Sequence, residues 1–245
     1  MADLGDSKCA RLHSIVVLLL GALLLPGLTD AETSLTPHTA EYRIKISVLG
    51  GKLNTELKAT DGGYTATHVI RPTGMSRIFS KGTIAETSSF LPAVAGVRPD
   101  KYWSDNSLSR DKSRVDIQFD WETGVASGTA NNEAVLFTMD AIAHDRVSIQ
   151  YELMYDLLNG EPSNQYTLFD IDRLKTINVR NIGHKTVKVP AGKFEAVGIQ
   201  HQAENSKRIT TLWCVEELGY LPVIIEQHRL GKLRMRAALT SYEPT

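Results

Sequence analysis

The chain has 245 residues, with 27 basic side chains, 28 acidic side chains and a formal net charge of −1. This balance provides neither the basic stripe that nucleic-acid binding needs nor a long polybasic run that would attract an anionic membrane. Of the two cysteines, only Cys214 lies beyond residue 31, which excludes an internal disulfide in that part of the chain.

An uncharged apolar run of 14 residues, Ile15–Leu28, lies near the N-terminus. It is too short to span a bilayer comfortably, but it has the length of a signal-peptide core. Small residues at Thr29 and Ala31 provide a cleavage site. We therefore expect residues 1–31 to be a signal peptide, with an uncleaved anchor helix as the alternative. Cys9 precedes the apolar run, so the exported protein is not expected to be a lipoprotein.

Alternation of apolar and polar residues dominates residues 32–245, which we expect to form a single domain. Ala40–Val48 places apolar side chains on one face and polar or charged side chains on the other. Gly-Gly within Leu49–Lys52 predicts a first turn, and Asp61–Gly63 predicts a second. Strands with one solvent-exposed face and one buried face indicate an antiparallel sheet, here of about ten strands.

A hairpin is predicted within the stretch His184–Gln202. Pro190–Gly192 provides the turn, because proline fixes φ and glycine tolerates positive φ. The apolar residues of the return strand change face, which predicts a bulge near Ala196. Leu174–Arg180, just before the hairpin, is interpreted as a separate strand.

Ala143–Gly160 departs from the alternation and predicts one helix of about four turns. Its apolar residues recur at helical spacing: Val147, Tyr151, Met154 and Leu158. This side is expected to be buried against the sheet. Glu152 falls on the opposite side, so replacing Glu152 with Ala should cost little stability.

The sequence contains few residues at the spacings that are typical of catalytic or metal sites. No histidines pair at metal-ligand spacing and there is no cysteine cluster, so no metal site is expected. Asp145, next to His144, is interpreted as a helix N-cap in preference to a catalytic group. Cys214 lies in a strand pattern and is interpreted as a small buried hydrophobe. Nucleophile elbows, phosphate loops and dinucleotide fingerprints are missing, so neither a cofactor nor an enzyme is expected.

Several segments, in order, resemble a bacterial family, domain-of-unknown-function family 3108. They are the hairpin at 40–58, the helix around Asp145–Leu158, "KTVKVPAGKFEAVGIQ" at 185–200 and "TLWCVEELGYLPVIIE" at 211–226. Residues 104–121 follow only the strand spacing. The family in turn resembles the periplasmic lipoprotein carriers LolA and LolB. The resemblance implies a mainly β fold, a curved antiparallel sheet or open half-barrel wrapped around one main α-helix. It implies no catalytic residues.

We therefore expect a periplasmic, non-catalytic protein that binds or carries an apolar ligand, a lipid or an acyl chain. The candidate ligand-binding residues are Phe119, Trp121, Tyr151, Met154 and Trp213. Two alternatives stay open. One is an envelope assembly factor that works through a protein partner. The other is a cofactor-free enzyme that uses His68 inside the cavity of the sheet.

Overall fold

The computed structural model describes residues 34–79, 81–93, 96–160, 162–171 and 173–245. The predicted signal peptide, residues 1–31, lies outside the described residues, and its cleavage stays a prediction. Among the described residues, no helix is both long and apolar enough to cross a membrane.

The described part of the chain consists mainly of strands. They are β1 (His38–Ile46), β2 (Leu49–Thr60), β3 (Gly63–Thr73), β4 (Ile84–Pro92), β5 (Val97–Asn106), β6 (Ser113–Asp120), β7 (Val125–Ala130), β8 (Glu133–Thr138), β9 (Gln165–Phe169), β10 (Leu174–Val189), β11 (Gly192–Ala203), β12 (Arg208–Val215), β13 (Leu221–Arg229) and β14 (Lys232–Pro244). The helical elements are α1 (Ser76–Phe79), the main helix α2 (Ser148–Leu158) and a short 3-10 helix (Glu216–Leu218).

All 14 described strands belong to one sheet, in the order β8-β7-β6-β5-β4-β3-β2-β1-β14-β13-β12-β11-β10-β9. Every neighbouring pair is antiparallel. β8 and β9 form the two edges, so the sheet is not closed. This confirms the predicted open antiparallel fold with one main helix. The estimate of about ten strands was too low, because β4, β5, β7 and β8 lack clear alternation.

The first turn does not lie where the glycines predicted it. β1 and β2 reverse direction at Ser47–Val48, and Ile46 pairs with Leu49. Ser47 takes the left-handed backbone conformation, with φ of 56°. Gly50 and Gly51 lie inside β2, and Ile46 and Val48, predicted to be dry, are exposed.

The other two predicted turns are confirmed. Asp61–Gly62 connects β2 to β3, and Gly62 has φ of 85°. Pro190–Ala191 connects β10 to β11, where Val189 pairs with Gly192.

The bulge predicted near Ala196 lies instead in the partner strand. Asn181 pairs with Ile199 and His184 pairs with Val197, so β10 holds one residue more than β11 across this step. The two segments Leu174–Arg180 and His184–Val189 are therefore one continuous strand, bent at the bulge, where the prediction had two.

The predicted buried side of the helix is confirmed: Val147, Tyr151 and Met154 are buried, and Leu158 is partly buried against the core. The regular helix begins at Ser148 and has 11 residues, about three turns. The prediction that Glu152 is exposed was wrong, since Glu152 is only 9% exposed. The sheet curves around α2 and contacts more than one side of the helix.

Two groups of buried side chains account for this wrapping. On one side of α2, the Tyr151 ring stacks on Phe90 of β4, with ring centroids 5.3 Å apart. On another side, Leu153 and Leu157 pack in a second cluster with Ile199 of β11 and Leu212 of β12. The helix is thus held between the β1–β8 half of the sheet and the β9–β13 strands.

Candidate binding cleft

A cleft of about 980 Å³ lies between α2 and the strands β9 to β13. Ligand sites usually occupy about 300–1,000 Å³, so this volume accommodates a small molecule or an acyl chain. The floor of the cleft is apolar and consists of Ile149 and Leu153 from α2 with Ile177, Val179, Leu212 and Ile225 from the sheet.

The period of two along each strand explains why these residues share one face. Leu212 of β12 pairs in register with Ile225 of β13, and Thr210 pairs with Gln227. Residues two apart on a strand point to the same side of a sheet. The same face therefore continues from the apolar floor to a polar row and then to the ends of the strands.

The polar row crosses three strands. His201 of β11 pairs with Thr210 of β12, and Thr210 pairs with Gln227 of β13. Burial lowers the pKa of His201 to about 4, so its imidazole is neutral at physiological pH. The row therefore offers uncharged hydrogen-bonding groups above an apolar floor.

The rim of the cleft is basic. The lining contains the cations Arg146, Lys175, Lys207, Arg208 and Arg229, and Asp170 is the acidic residue among the lining residues. Arg146 and Lys175 both form ion pairs with Asp170. Burial alone would raise the pKa of Asp170, but hydrogen bonds from Lys175 and Arg146 hold it below its usual value.

Arg208 and Arg229 are paired in register across β12 and β13. Like charges directly opposite each other on a sheet are destabilising. Within the described residues, neither arginine forms an ion pair with a carboxylate. The two guanidinium groups thus leave an uncompensated positive charge beside an apolar cleft, a combination that favours an anionic, amphiphilic ligand.

A buried acid of α2, Glu152, lies beside a buried base, His144, from the segment before the helix. Glu152 Oε1 is 3.8 Å from His144 Nε2, and Glu152 Oε2 accepts a hydrogen bond from the Val97 N–H at 2.6 Å. Burial raises the pKa of Glu152 to about 7 and lowers that of His144 to about 4. Because both side chains are buried and neither lines the cleft, this pair is not placed to meet a ligand there.

The N-cap of the regular helix α2 is Val147, which has no side-chain capping hydrogen bond, so the N-cap was predicted two residues too early. Asp145 caps the turn just before the helix. Its Oδ1 accepts hydrogen bonds from the backbone N–H groups of Val147 and Ser148 at 2.8 and 2.9 Å. Its Oδ2 accepts from the hydroxyl groups of Ser88 and Ser148 at 2.6 and 2.9 Å. The Asp145 N–H in turn donates to Ser148 Oγ at 3.0 Å, so the irregular turn before α2 is closed from both sides.

Of the remaining predicted groups, His68 is partly buried and Cys214 is buried. His68 Nε2 is 3.5 Å from the hydroxyl of Tyr151, and burial lowers the pKa of His68 to about 4. Cys214 is buried, which confirms its interpretation as a small hydrophobe, and burial raises the pKa of its thiol. Among the described residues, no three His, Cys, Asp or Glu side chains are grouped in a way that could hold a metal ion.

All five predicted ligand-binding residues belong to one core cluster, in which Trp121 is partly buried and the other four are buried. Phe119 and Trp121 stack with ring centroids 5.8 Å apart, and Tyr151 and Met154 are buried side chains of α2. Trp213 lies on the face of β12 opposite to Leu212. The Lys185 Nζ lies over the Trp213 ring, 3.6 Å from the ring centroid. None of the five is among the described residues that line the cleft, and a binding role for them stays a prediction.

Sequence reasoning missed the cleft residues. The alternation Arg208, Thr210, Leu212 was visible, and so was the matching alternation Ile225, Gln227, Arg229. The sequence does not show the register of β12 on β13. That register places the two alternating rows side by side, on the face of the sheet that α2 covers only in part.

A family model described as "Protein of unknown function (DUF3108)" matches residues 39–237 of the chain. The crystal structure of a β-barrel-like protein of domain of unknown function DUF1849 from Brucella abortus is similar in fold, with a TM-score of 0.59 and 14% identity over 86% of this chain and 98% of that chain. A candidate lipoprotein from Parabacteroides distasonis matches with a TM-score of 0.36 and 11% identity over 86% and 100% of the two chains. No curated protein matches.

Proposed function

The chain belongs to DUF3108, a family of proteins of unknown function, and we propose that it is a non-catalytic carrier for an amphiphile with an acyl chain and an anionic head. The observation that carries this proposal is the cleft of about 980 Å³ with an apolar floor and a basic rim. An acyl chain would lie against Ile177, Val179 and Leu212, and the head would meet Arg208 and Arg229.

We propose that the carrier acts in the periplasm after export, and without a lipid anchor. The support is the apolar run Ile15–Leu28 with small residues at the following cleavage site. N-terminal sequencing of the exported protein should find Glu32, or a residue within a few positions of it, at the mature end. An intact Met1 in a membrane fraction would contradict this.

A non-catalytic role is supported by the positions of the titratable groups. His68, His144 and Glu152 carry raised or lowered pKa values because they are buried, and they do not line the cleft. The neutral His201 does line it, but among the described residues it forms no ion pair, and the carboxylate of Asp170 in the same lining is paired with Arg146 and Lys175.

Titration with a series of fatty acids and lysophospholipids tests the proposal. Binding should be saturable, and it should raise the melting temperature. The linked stabilisation is about 2.7 kcal/mol when the free ligand is at a hundred times its Kd. A series up to twenty carbons that produces no thermal shift and no saturable signal would reject the carrier function.

The second candidate is an envelope assembly factor that acts through a protein partner. The edge strand β8 favours it, because one side of β8 has no neighbour among the described strands and Leu136 there is 79% exposed. Exposed edges can accept a strand from another chain. Native mass spectrometry of protein purified from the envelope separates the two functions, since a small bound mass supports a carrier and a co-purifying chain supports an assembly factor.

A further inference from the structure

Five large apolar side chains are exposed on two neighbouring segments of the fold. This apolar tip consists of Ile46, Val48 and Leu49 at the β1–β2 turn and of Met75 and Ile78 at α1. Val48 is 95% exposed, and Met75 and Ile78 are each 71% exposed. A cluster of exposed apolar side chains is typical of a surface that binds a membrane or another protein.

The fold holds the two segments together. The Gly50 N–H donates a hydrogen bond to Ser76 Oγ at 2.7 Å, and Gly50 pairs in register with Thr73 at the end of β3. The β1–β2 turn and α1 therefore lie at the same end of the sheet, and the apolar tip is a defined surface.

Cations surround the apolar tip. The two segments that form it, 42–55 and 71–83, contain six basic residues and no acidic residue. They are Arg43, Lys45, Lys52, Arg71, Arg77 and Lys81. Lys52 forms an ion pair with Glu41. Lys45 lies opposite Arg236 in register, and Arg236 forms an ion pair with Glu226, so the net positive charge comes from the basic residues of the two segments themselves.

The opposite end of the sheet has the opposite charge. Its turns at 61–62, 121–124 and 190–191, together with the connection 216–220, contain four acidic residues and no basic residue. A chain with a net charge of −1 is therefore polarised along its strands.

We propose that the apolar tip docks on a bilayer surface that contains anionic lipids. Val48, Met75 and Ile78 enter the interface, while Lys45 and Arg77 meet the lipid head groups. Interfacial binding combines apolar contact with attraction between basic side chains and anionic lipids.

The docking surface and the cleft lie at the same end of the sheet. β14 begins at Lys232, directly after the turn that follows Arg229, and its Arg236 pairs with Lys45 beside the tip. If the carrier function holds, docking brings the basic rim of the cleft to the membrane that supplies or receives the ligand. The docking itself does not depend on the carrier function.

Vesicle co-sedimentation of the purified protein tests the proposal. We expect binding to vesicles of phosphatidylglycerol and phosphatidylcholine, weaker binding to pure phosphatidylcholine, and a decrease with salt because the ionic contribution is screened. Val48→Asp should lower the partition coefficient about tenfold, since it replaces an apolar contact with a charge. Lys45→Glu should lower the partition coefficient at least fivefold. Losing one basic contact lowers it about fivefold, and reversing the charge adds repulsion from the anionic lipids.

Two matched controls separate docking from general surface effects. Leu136→Asp changes an equally exposed apolar residue on the far edge strand β8, and Lys188→Glu changes an exposed lysine at the opposite end of the sheet. Both should bind as the wild type does. Lys45→Glu also removes a like-charge pair with Arg236, so it should not unfold the protein. The proposal is overturned if the wild type binds neither vesicle, if binding requires a second protein, or if the controls lose as much binding as the tip variants.

Discussion

Glu152 and Val97 are joined by a hydrogen bond in which the Val97 N–H donates to Glu152 Oε2 at 2.6 Å. The bond connects the middle of α2 to the first residue of β5. Burial raises the pKa of Glu152 to about 7, and the charge of Asp156 adds to the rise, while the Val97 N–H opposes it. This carboxyl group therefore titrates near neutral pH.

The first prediction concerns stability and pH. The folded-state pKa of Glu152, about 7, lies above its ordinary value of 4.5, so the folded protein binds this proton more tightly than the unfolded chain does. The resulting stabilisation is complete below pH 4.5 and is lost as the pH rises through 7, with a magnitude on the order of 3 kcal/mol. Glu152→Gln keeps an acceptor for the Val97 N–H and removes this titration.

Urea unfolding of the wild type and of Glu152→Gln at pH 5 and pH 8 measures the effect. The wild type should lose about 3 kcal/mol relative to the variant between the two values. The buried histidines are present in both proteins, so their own titration cancels in the comparison. A difference that stays constant from pH 5 to pH 8 would show that Glu152 has an ordinary pKa.

The second prediction concerns the cap of α2. Asp145→Ala should lower the free energy of unfolding by about 2–4 kcal/mol, because it leaves buried backbone N–H groups and the Ser88 hydroxyl without an acceptor. Ser88→Ala should cost only about 1 kcal/mol, since the carboxylate keeps its other donors. Denaturant unfolding compares the two. Equal losses would mean that the capping bonds contribute little.

The third prediction concerns the basic rim. Arg208→Ala should weaken the binding of a fatty acid about tenfold, because a charge-assisted hydrogen bond is lost. The fatty alcohol of the same chain length should bind both proteins equally, since it has no anionic head. Lys188→Ala, remote from the cleft, is the control. A similar loss for acid and alcohol would place the effect on the apolar floor and not on head-group recognition.

The fourth prediction concerns Gly198 of β11, which pairs with the buried Trp213 of β12. A Cβ at position 198 would lie 2.7 Å from Trp213 Cζ3 and 2.6 Å from Ile182 Cγ1. Gly198→Ala should therefore cost about 1–3 kcal/mol and change tryptophan fluorescence, because Trp213 must move. In an Ile182→Ala background the cost should shrink. An unchanged cost there would assign the strain to Trp213 alone.

Local patterns were sufficient where neighbouring residues decide the structure. Asp61–Gly62 and Pro190–Ala191 form the predicted turns, because their backbone preferences act within a few residues. The spacing of Val147, Tyr151, Met154 and Leu158 predicted the buried side of α2, and Asp145 caps the turn just before the helix, two residues before its N-cap Val147.

Local patterns failed where a second layer of structure decides. The pair Gly50–Gly51 has the composition of a turn, yet it lies in β2, and the chain reverses at Ser47–Val48. Glu152 lies on the predicted polar side of the helix, yet it is buried, because the curved sheet reaches around α2 to Val97.

By itself, the sequence determined the class of the fold: period-two alternation specifies an antiparallel sheet, and one stretch at helical spacing specifies the helix packed on it. The site depended on strand register. Only the register of β12 on β13 places Arg208 beside Arg229 at the end of the apolar floor. Only the register of β2 on β3 places the basic segment around Lys45 beside the one around Arg77, so that a chain of nearly zero net charge acquires a basic end. Register pairs residues far apart along the chain, and neither composition nor local periodicity records which of them meet.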